Sequence, residues 1–493
     1  MTFPLWTPFT NEWIAIILIL GMITSIIYIS NISISQSWLS KEQSRRLVHI
    51  MTGFMTVVSP IVFSENTIPL IISISFTLIN IFSIKYNYFR GIHSTDRVTY
   101  GTIYFPISYV IISLFFWRYS EFVIICLSIL AFADPFAAYV GSKVNNPINF
   151  IIWKDKKTIQ GTISFFLFSF FLIFFGINLM FDFPVYEVII GAILNSILAA
   201  ASEATSFEGT DNLTIPIISI LSMIAFFDQN LALLEPGYSN YTTLVILFIV
   251  QVLLYLFHLL KYLTVDGFIG ASIMSIFITL MGSIYHLISM AIFFVLSSIL
   301  GQLLKKFSYQ KVEDTNRNII QVFANGGIPL VFCILGFLYP NQYSFPMFLA
   351  SISAAMSDTW GTEFGKLSKI KPISIINFKS VDHGTSGGIT IIGTLGSIIG
   401  ASILGVVTYL ITNTRIEIIY YVIICGFLSS LFDSILGDTI QGKYKTDSGE
   451  YVESKSHNTK LISGFSCINN STVNFLSTIF SSILMLLFLT LYG

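Results

Sequence analysis

Residues 132–141 read FADPFAAYVG, and a carboxylate, Asp134, stands near the end of a run that is otherwise apolar. A charge buried in hydrocarbon is costly, so acids inside apolar helices are functional by default. At a membrane interface such an acid can equally be solvated or paired with a nearby lysine, and spacing helps to decide between the two. SDTWGTEFGKLS (357–368) repeats the Asp-x6-Gly pattern of ADPFAAYVGSKV (133–144), setting Asp134 and Gly141 against Asp358 and Gly365. Another glycine follows each, Gly161 in KKTIQGT and Gly384 in KSVDHGTSGG. Upstream, RRLVHIMTG (45–53) parallels RNIIQVFANGG (317–327), with His49 opposite Gln321. Downstream, SEATSFEGTDNLT (202–214) answers FDSILGDTIQ (432–441) together with NNSTVN (469–474). Matches in the same order point to a tandem duplication that includes the acid at the end of a span.

These residue types suit phosphate chemistry. Asp134, Glu203 and Asp211 with Asn212 are hard oxygen ligands, of the kind Mg²⁺ takes when it also holds phosphates. Arg45, Arg46, Lys154, Lys156 and Lys157, with backbone N–H groups around Gly161 where a span opens, suit phosphate oxygens. The second half carries a similar kit. Asp358, Glu363, Asp433 and Asn470 are its candidate metal ligands, and Lys379, Gly384, Thr385, Ser386 and Gly387 its candidate phosphate loop. Phosphoryl transfer asks for little beyond positioning and charge neutralisation. Asp134 and His49 are candidates for the base that takes a hydroxyl proton, and Asp358 is the catalytic candidate of the second half. Lysine-rich loops are most often topology signals, so Lys143, Lys305 and Lys306 receive no catalytic role.

The elements that must position these residues are membrane helices. Of the 493 residues, 54% are hydrophobic and only 10% charged, against roughly 25% charged in soluble domains. Sixteen apolar segments are candidate spans, from 12–32 to 472–492, and the first reads as retained rather than as a signal peptide. With that count, 23 of the 25 basic residues, all but Arg118 and Arg415, fall in loops on one side, the expected cytoplasmic face. Both termini are then expected outside the cytoplasm, with the polar loops and the sites inside it. The four cysteines have neither metal-site nor disulfide-framework spacing. The expected fold is an all-α polytopic membrane protein of about sixteen transmembrane helices in two homologous parallel repeats, divided at 1–235 and 236–493. No nucleic-acid partner is expected.

At these motifs the sequence resembles two related families. The first half, from RRLVHIMTG through YGTIYFP, ADPFAAYVGSKV…KKTIQGT and SEATSFEGTDNLTIP, resembles the phytol kinase and dolichol kinase family of membrane enzymes. The second half is similar to the family of phytyl-phosphate kinase, through SDTWGTEFGKLSK, KSVDHGTSGGITIIGTLGS, FDSILGDTIQ and NNSTVNFLST. The resemblance implies CTP (or ATP) as phosphoryl donor with Mg²⁺, an isoprenoid alcohol and then an isoprenyl phosphate as acceptors, and a surrounding membrane lipid phase. It carries Asp134, Lys157, Gly161, Glu203, Asp211 and Asn212 into a first site. Asp358, Glu363, Lys379, Gly384, Thr385, Ser386, Asp433, Asn469 and Asn470 go into a second. Phe207-Glu208 departs from the first family's pattern, and 441–468 matches nothing functional and reads as a cytoplasmic loop.

The expectation is a bifunctional kinase converting an isoprenoid alcohol of the phytol or geranylgeraniol type to its monophosphate and then its diphosphate. Two other classes use similar parts. A cytidylyltransferase making a CDP-activated lipid needs the same metal, nucleotide and lipid groups. A repeat-built transporter also carries charges in its spans, but near mid-membrane, whereas Asp134, Glu203, Asp211 and Asp358 fall near one face by this span count.

Overall fold

Hydrocarbon offers no water to backbone N–H and C=O groups, so a chain this apolar satisfies them within helices. The computed structural model describes residues 11–86, 100–153, 155–228, 240–305, 307, 316–412, 415–446, 451–452 and 459–492. Lys154 lies outside the described residues, as do Arg90, Arg97, Lys306, Lys311 and Lys455 of the loop-charge argument. A helix forms at each apolar segment read from the sequence. Among the described residues, 11 helices are long and apolar enough to cross a membrane. The chain is a nearly all-helical, multi-pass membrane protein.

It divides into two compact units, Met1–Asn230 and Leu231–Gly493. The first holds α1 (Glu12–Ser35), α2 (Lys41–Val62), α3 (Thr67–Tyr86) and α4 (Gly101–Phe115). It continues with α5 (Ser120–Lys143), α6 (Ile159–Met180), α7 (Val185–Thr205) and α8 (Asp211–Phe227). The second holds α9 (Asn240–Leu259), α10 (Val265–Met281), α11 (Ile284–Lys305), α12 (Ile319–Leu338), α13 (Ser344–Gly365), α14 (Ile391–Thr412), α15 (Ile416–Thr439) and α16 (Asn470–Tyr492). Short strands fill three polar loops, which the all-α expectation did not include. They are the hairpin β1 (Asn149–Ile151) and β2 (Lys156–Thr158), and the pair β3 (Ile373–Ser374) and β4 (Gly388–Ile389). The stretch after α15, read as a plain loop, forms a sheet from β5 (Lys443–Thr446), β6 (Tyr451–Val452) and β7 (Thr459–Ser463) in the order β6-β5-β7.

Several polar side chains inside the helices find a donor role within their own helix. Thr52, Ser164, Asn195 and Ser196 each donate to the carbonyl four residues back, at 2.6–2.7 Å. Small residues let backbones approach, as membrane helices require. In the second unit a Cβ on Gly361 would meet Ser397 Oγ at 2.2 Å, and one on Gly426 would meet Ser353 Oγ at 2.1 Å. In the first unit α1 runs antiparallel to α2. Ser30 and Ser44 share a hydrogen bond at one end, and Glu12 Oε1 accepts the Ser64 N–H at 2.9 Å at the other.

Candidate active site

Asp134 owes its position to an irregularity in α5. Residues Ile129–Ala133 are wound as a π-helix, and such bulges are frequent at functional sites. In that register the carbonyl of residue 130 looks to the N–H of residue 135, which is proline and has none. His49 takes the orphaned acceptor: its Nε2 lies 3.1 Å from the Leu130 carbonyl oxygen. A carbonyl only accepts, so Nε2 carries the ring hydrogen and Nδ1 the lone pair. Gly53 permits the close crossing, since a Cβ there would stand 2.6 Å from the Ala131 Cβ. Helices α2 and α5 are thus joined within a turn of Asp134.

A lysine is delivered to the same place by the hairpin. The register pairs Phe150 with Lys157 and Ile151 with Lys156, so the adjacent lysines face opposite ways. Lys156 is exposed. The Lys157 side chain is 17% exposed, and its ammonium lies 2.6 Å from Glu203 Oε1 on α7 and 3.1 Å from Ser206 Oγ. Burial pulls the Lys157 pKa down, but the Glu203, Asp211 and Asp134 carboxylates outweigh it and raise the pKa above the ordinary lysine value. The next residue, Thr158, caps α6 by accepting the Gly161 N–H at 3.1 Å. A Cβ on Gly141 or on Gly161 would come within 2.5 or 2.7 Å of Thr158 Oγ1. These glycines close α5 onto α6, and the Gly161 N–H is committed to the cap.

The remaining acids enter on the turn between α7 and α8. Asp211 opens α8, and Asn212 donates its side-chain amide to Asp211 Oδ1 at 3.0 Å. Glu208 holds a positive φ of 50°, the strained left-handed region for a side chain, followed by Gly209 at 90°. The strain is held in place on both sides. Asp155 Oδ2 accepts the Glu208 N–H at 3.1 Å, and the Glu208 carbonyl accepts the Tyr100 N–H at 2.9 Å. Trp153 packs on Phe207 with ring centroids 4.2 Å apart. Glu208, which departs from the family pattern in sequence, has this backbone role.

These elements line a cavity of about 1120 Å³. Arg45, Arg46, His49, Asp134, Lys156, Lys157, Gly161, Glu203, Asp211 and Asn212 all line it, so the first-half candidates among the described residues are brought to one site. The charges of Asp211, Lys157, Glu203 and Arg45 all act at Asp134. From this charged end the lining turns apolar along α1 to α4, through Ile23, Met55, Phe63, Ile72, Phe76 and Phe105. Among the described residues, no three His, Cys, Asp or Glu side chains form a group that could hold a metal ion. With Glu203 held by Lys157, Asp134 and Asp211 remain as carboxylates. One or two carboxylates completed by phosphate oxygens is the usual manner of Mg²⁺, so the donor set fits an ion arriving with a nucleotide.

In the second unit the candidates are spread over several contacts. Asp358 is half-buried on α13, and Glu363 on the same helix is paired with Lys366 at 2.6 Å. Asp433 is buried on α15 and accepts from Ser477 Oγ at 3.0 Å. Lys379, Gly384 and Asn470 are exposed, and Thr385, Ser386 and Gly387 are half-buried in the loop before β4. Asp438 ties that loop down, accepting from Ser374 and from Lys443 Nζ, the latter at 3.0 Å. Gly387 has φ 83°, and a Cβ there would collide with Asp438 Cβ at 2.4 Å. The local counterpart of Gly161 is Gly393 rather than Gly384. Thr390 Oγ1 accepts the Gly393 N–H at 3.0 Å, and Gly365 lies against that threonine as Gly141 lies against Thr158. The residue counts after Gly141 and Gly365 had suggested Gly384, because sequence spacing cannot register the longer loop that precedes the second threonine cap.

Sequence missed the Lys157–Glu203 pair, whose partners lie far apart in the chain, and the π-helical segment. Its only signal was a proline directly after the half-buried acid.

Comparison with known proteins places residues 248–482 on the model of the family described as integral membrane protein DUF92. An uncharacterized membrane protein of Methanocaldococcus jannaschii is 35% identical over 36% of this chain and 74% of its own length. Protein PGR of Arabidopsis thaliana is 30% identical over 35% of this chain and 69% of its own length. A phytol kinase of Synechocystis sp. is 24% identical over 42% of this chain and 90% of its own length. No solved structure matches the chain.

Proposed function

We propose, for a chain that belongs to the integral membrane protein DUF92 family, that its first unit is a prenyl alcohol kinase. The observation that carries this reading is one cavity with a carboxylate and lysine cluster at one end and an apolar bore at the other. An amphiphile with a hydroxyl head and a hydrocarbon tail matches both ends, and the likeness to a phytol kinase supports the same reading. Lys157, and Lys156 at the mouth, bind the phosphates of a nucleoside triphosphate, which we take to be CTP. Asp134 and Asp211 with Asn212 hold Mg²⁺, which neutralises phosphate charge when bound. The acceptor hydroxyl attacks the γ-phosphorus, the bond to the β-phosphate oxygen breaks, and the nucleoside diphosphate leaves. The hydroxyl proton passes to Asp134 or to the His49 Nδ1 lone pair.

The second unit then phosphorylates the monophosphate, with Asp358, Glu363 and Asp433 on the metal side and the Lys379–Gly388 loop on the phosphates. Support for this step is the repeated motifs and the recurring Thr390–Gly393–Gly365 contact. Both sites open to the cytoplasm in this reading, which the loop charges favour. The test is product analysis of membranes given a labelled nucleoside triphosphate and geranylgeraniol or phytol. A prenyl phosphate with nucleoside diphosphate supports a kinase. Pyrophosphate with a CDP-lipid would establish the cytidylyltransferase alternative.

A further inference from the structure

The apolar end of the cavity has a depth that the proposed kinase reaction does not by itself require. Helix α2 runs its length, from His49 at the charged end to Phe63 at the far end. Fourteen residues at 1.5 Å each make that path about 21 Å. The far end abuts an apolar cluster. Phe63 is 2% exposed and packs with Ala15 and Ile68, backed by Ile16, Val62 and Trp117. Part of the way down, the buried Tyr109 donates its hydroxyl to Ser59 Oγ at 2.6 Å, so these two hydroxyls are paired with each other.

We infer that this bore is a tail-binding site for one extended prenyl chain and that Phe63 is its ruler. The inference rests on the kinase reading for the head of the ligand, and on the cavity alone for its tail. An extended chain advances about 3.5 Å per three bonds. Sixteen bonds, from hydroxyl oxygen to the last chain carbon of a four-isoprene alcohol, therefore span about 19 Å. Five isoprene units need about 23 Å and run into Phe63. Thr56, half-buried on α2, lines the bore about 10 Å below His49, where a two-isoprene chain ends.

The test uses the full chain in nanodiscs and a geranylgeraniol carrying a diazirine at its tail terminus. Crosslinks are mapped by peptide mass spectrometry, and alcohols of two to five isoprene units serve as competing ligands and as substrates. The expected crosslinks fall on Phe63, Ile72 and Ile19. Phe63→Ala is expected to raise the five-to-four-isoprene preference about ten-fold, and Thr56→Phe to move the optimum down to two units. Opposite shifts in the two variants cannot come from a general loss of folding. Alcohol phosphorylation with crosslinks elsewhere, or with one length profile in all three proteins, overturns the ruler and leaves the kinase standing. Crosslinks at these positions with no alcohol phosphorylated support the tail site and overturn the kinase reading.

Discussion

Asp134 is an acid that the chain positions through a proline. Pro135 deprives the Leu130 carbonyl of its helical partner, His49 supplies a replacement, and the ring is left with Nδ1 as its acceptor. In the proposed site Asp134→Asn keeps the shape and removes the charge, so phosphorylation should fall by about 100-fold or more while the thermal midpoint in detergent holds or rises. Lys157 poses a different problem, because it is paired with Glu203 in a mostly buried setting. Removing one partner of such a pair costs about 3–5 kcal/mol. Lys157→Met should therefore lower stability, and adding Glu203→Gln should restore much of it, as unfolding curves of the double-mutant cycle would record. The Lys157 pKa is raised in the folded protein, so its stabilisation is complete below the unfolded value of about 10.4 and is lost only as pH climbs through the higher folded value. The stability gap between wild type and Lys157→Met should then stay level from about pH 6 to 9.

At the scale of elements, closeness between α5 and α6 is what brings Asp134 and Lys157 to one cavity. Gly141 and Gly161 provide it around Thr158. Gly161→Ala would place a methyl 2.7 Å from Thr158 Oγ1 and 3.2 Å from the Ala137 carbonyl. It should cost both stability and turnover, whereas Thr158→Ala should cost about 1 kcal/mol as a lost cap. Deleting Ile129 returns the π-helical segment to α-helix and turns Asp134 by about 100° relative to the preceding part of α5. That variant should remain membrane-inserted, as size-exclusion would record, and be inactive. Much of this layer was legible in sequence. The apolar segments became helices, and Asp134, Lys157, Glu203 and Asp211 were singled out by type and spacing. The irregularities were not legible. A π-helical turn leaves no periodicity of its own, and the pairing of Lys157 with Glu203 depends on how α6 and α7 return to the hairpin. The match of Gly161 to Gly384 failed for a related reason: motif spacing counts residues, whereas the cap counts from the threonine.

At the scale of the whole molecule the proposed function has one chain carry two successive phosphorylations on one side of a membrane. Cys126, Cys333 and Cys425 are buried, whereas Cys467, in the turn before α16, is exposed. An impermeant maleimide should therefore label Cys467 in inside-out vesicles and not in right-side-out ones, and the reverse pattern would contradict the proposed orientation. The two units also predict an order of loss. Asp134→Asn should abolish monophosphate formation, and Asp358→Asn should stop the reaction at monophosphate. The central claim is tested most directly by incubating membranes that contain the wild-type chain with radiolabelled CTP or ATP, Mg²⁺ and geranylgeraniol, and separating the lipid products. The account predicts label in a prenyl monophosphate that passes to the diphosphate, with nucleoside diphosphate released. Absence of label from any prenyl phosphate, or release of pyrophosphate with a CDP-lipid, would contradict it.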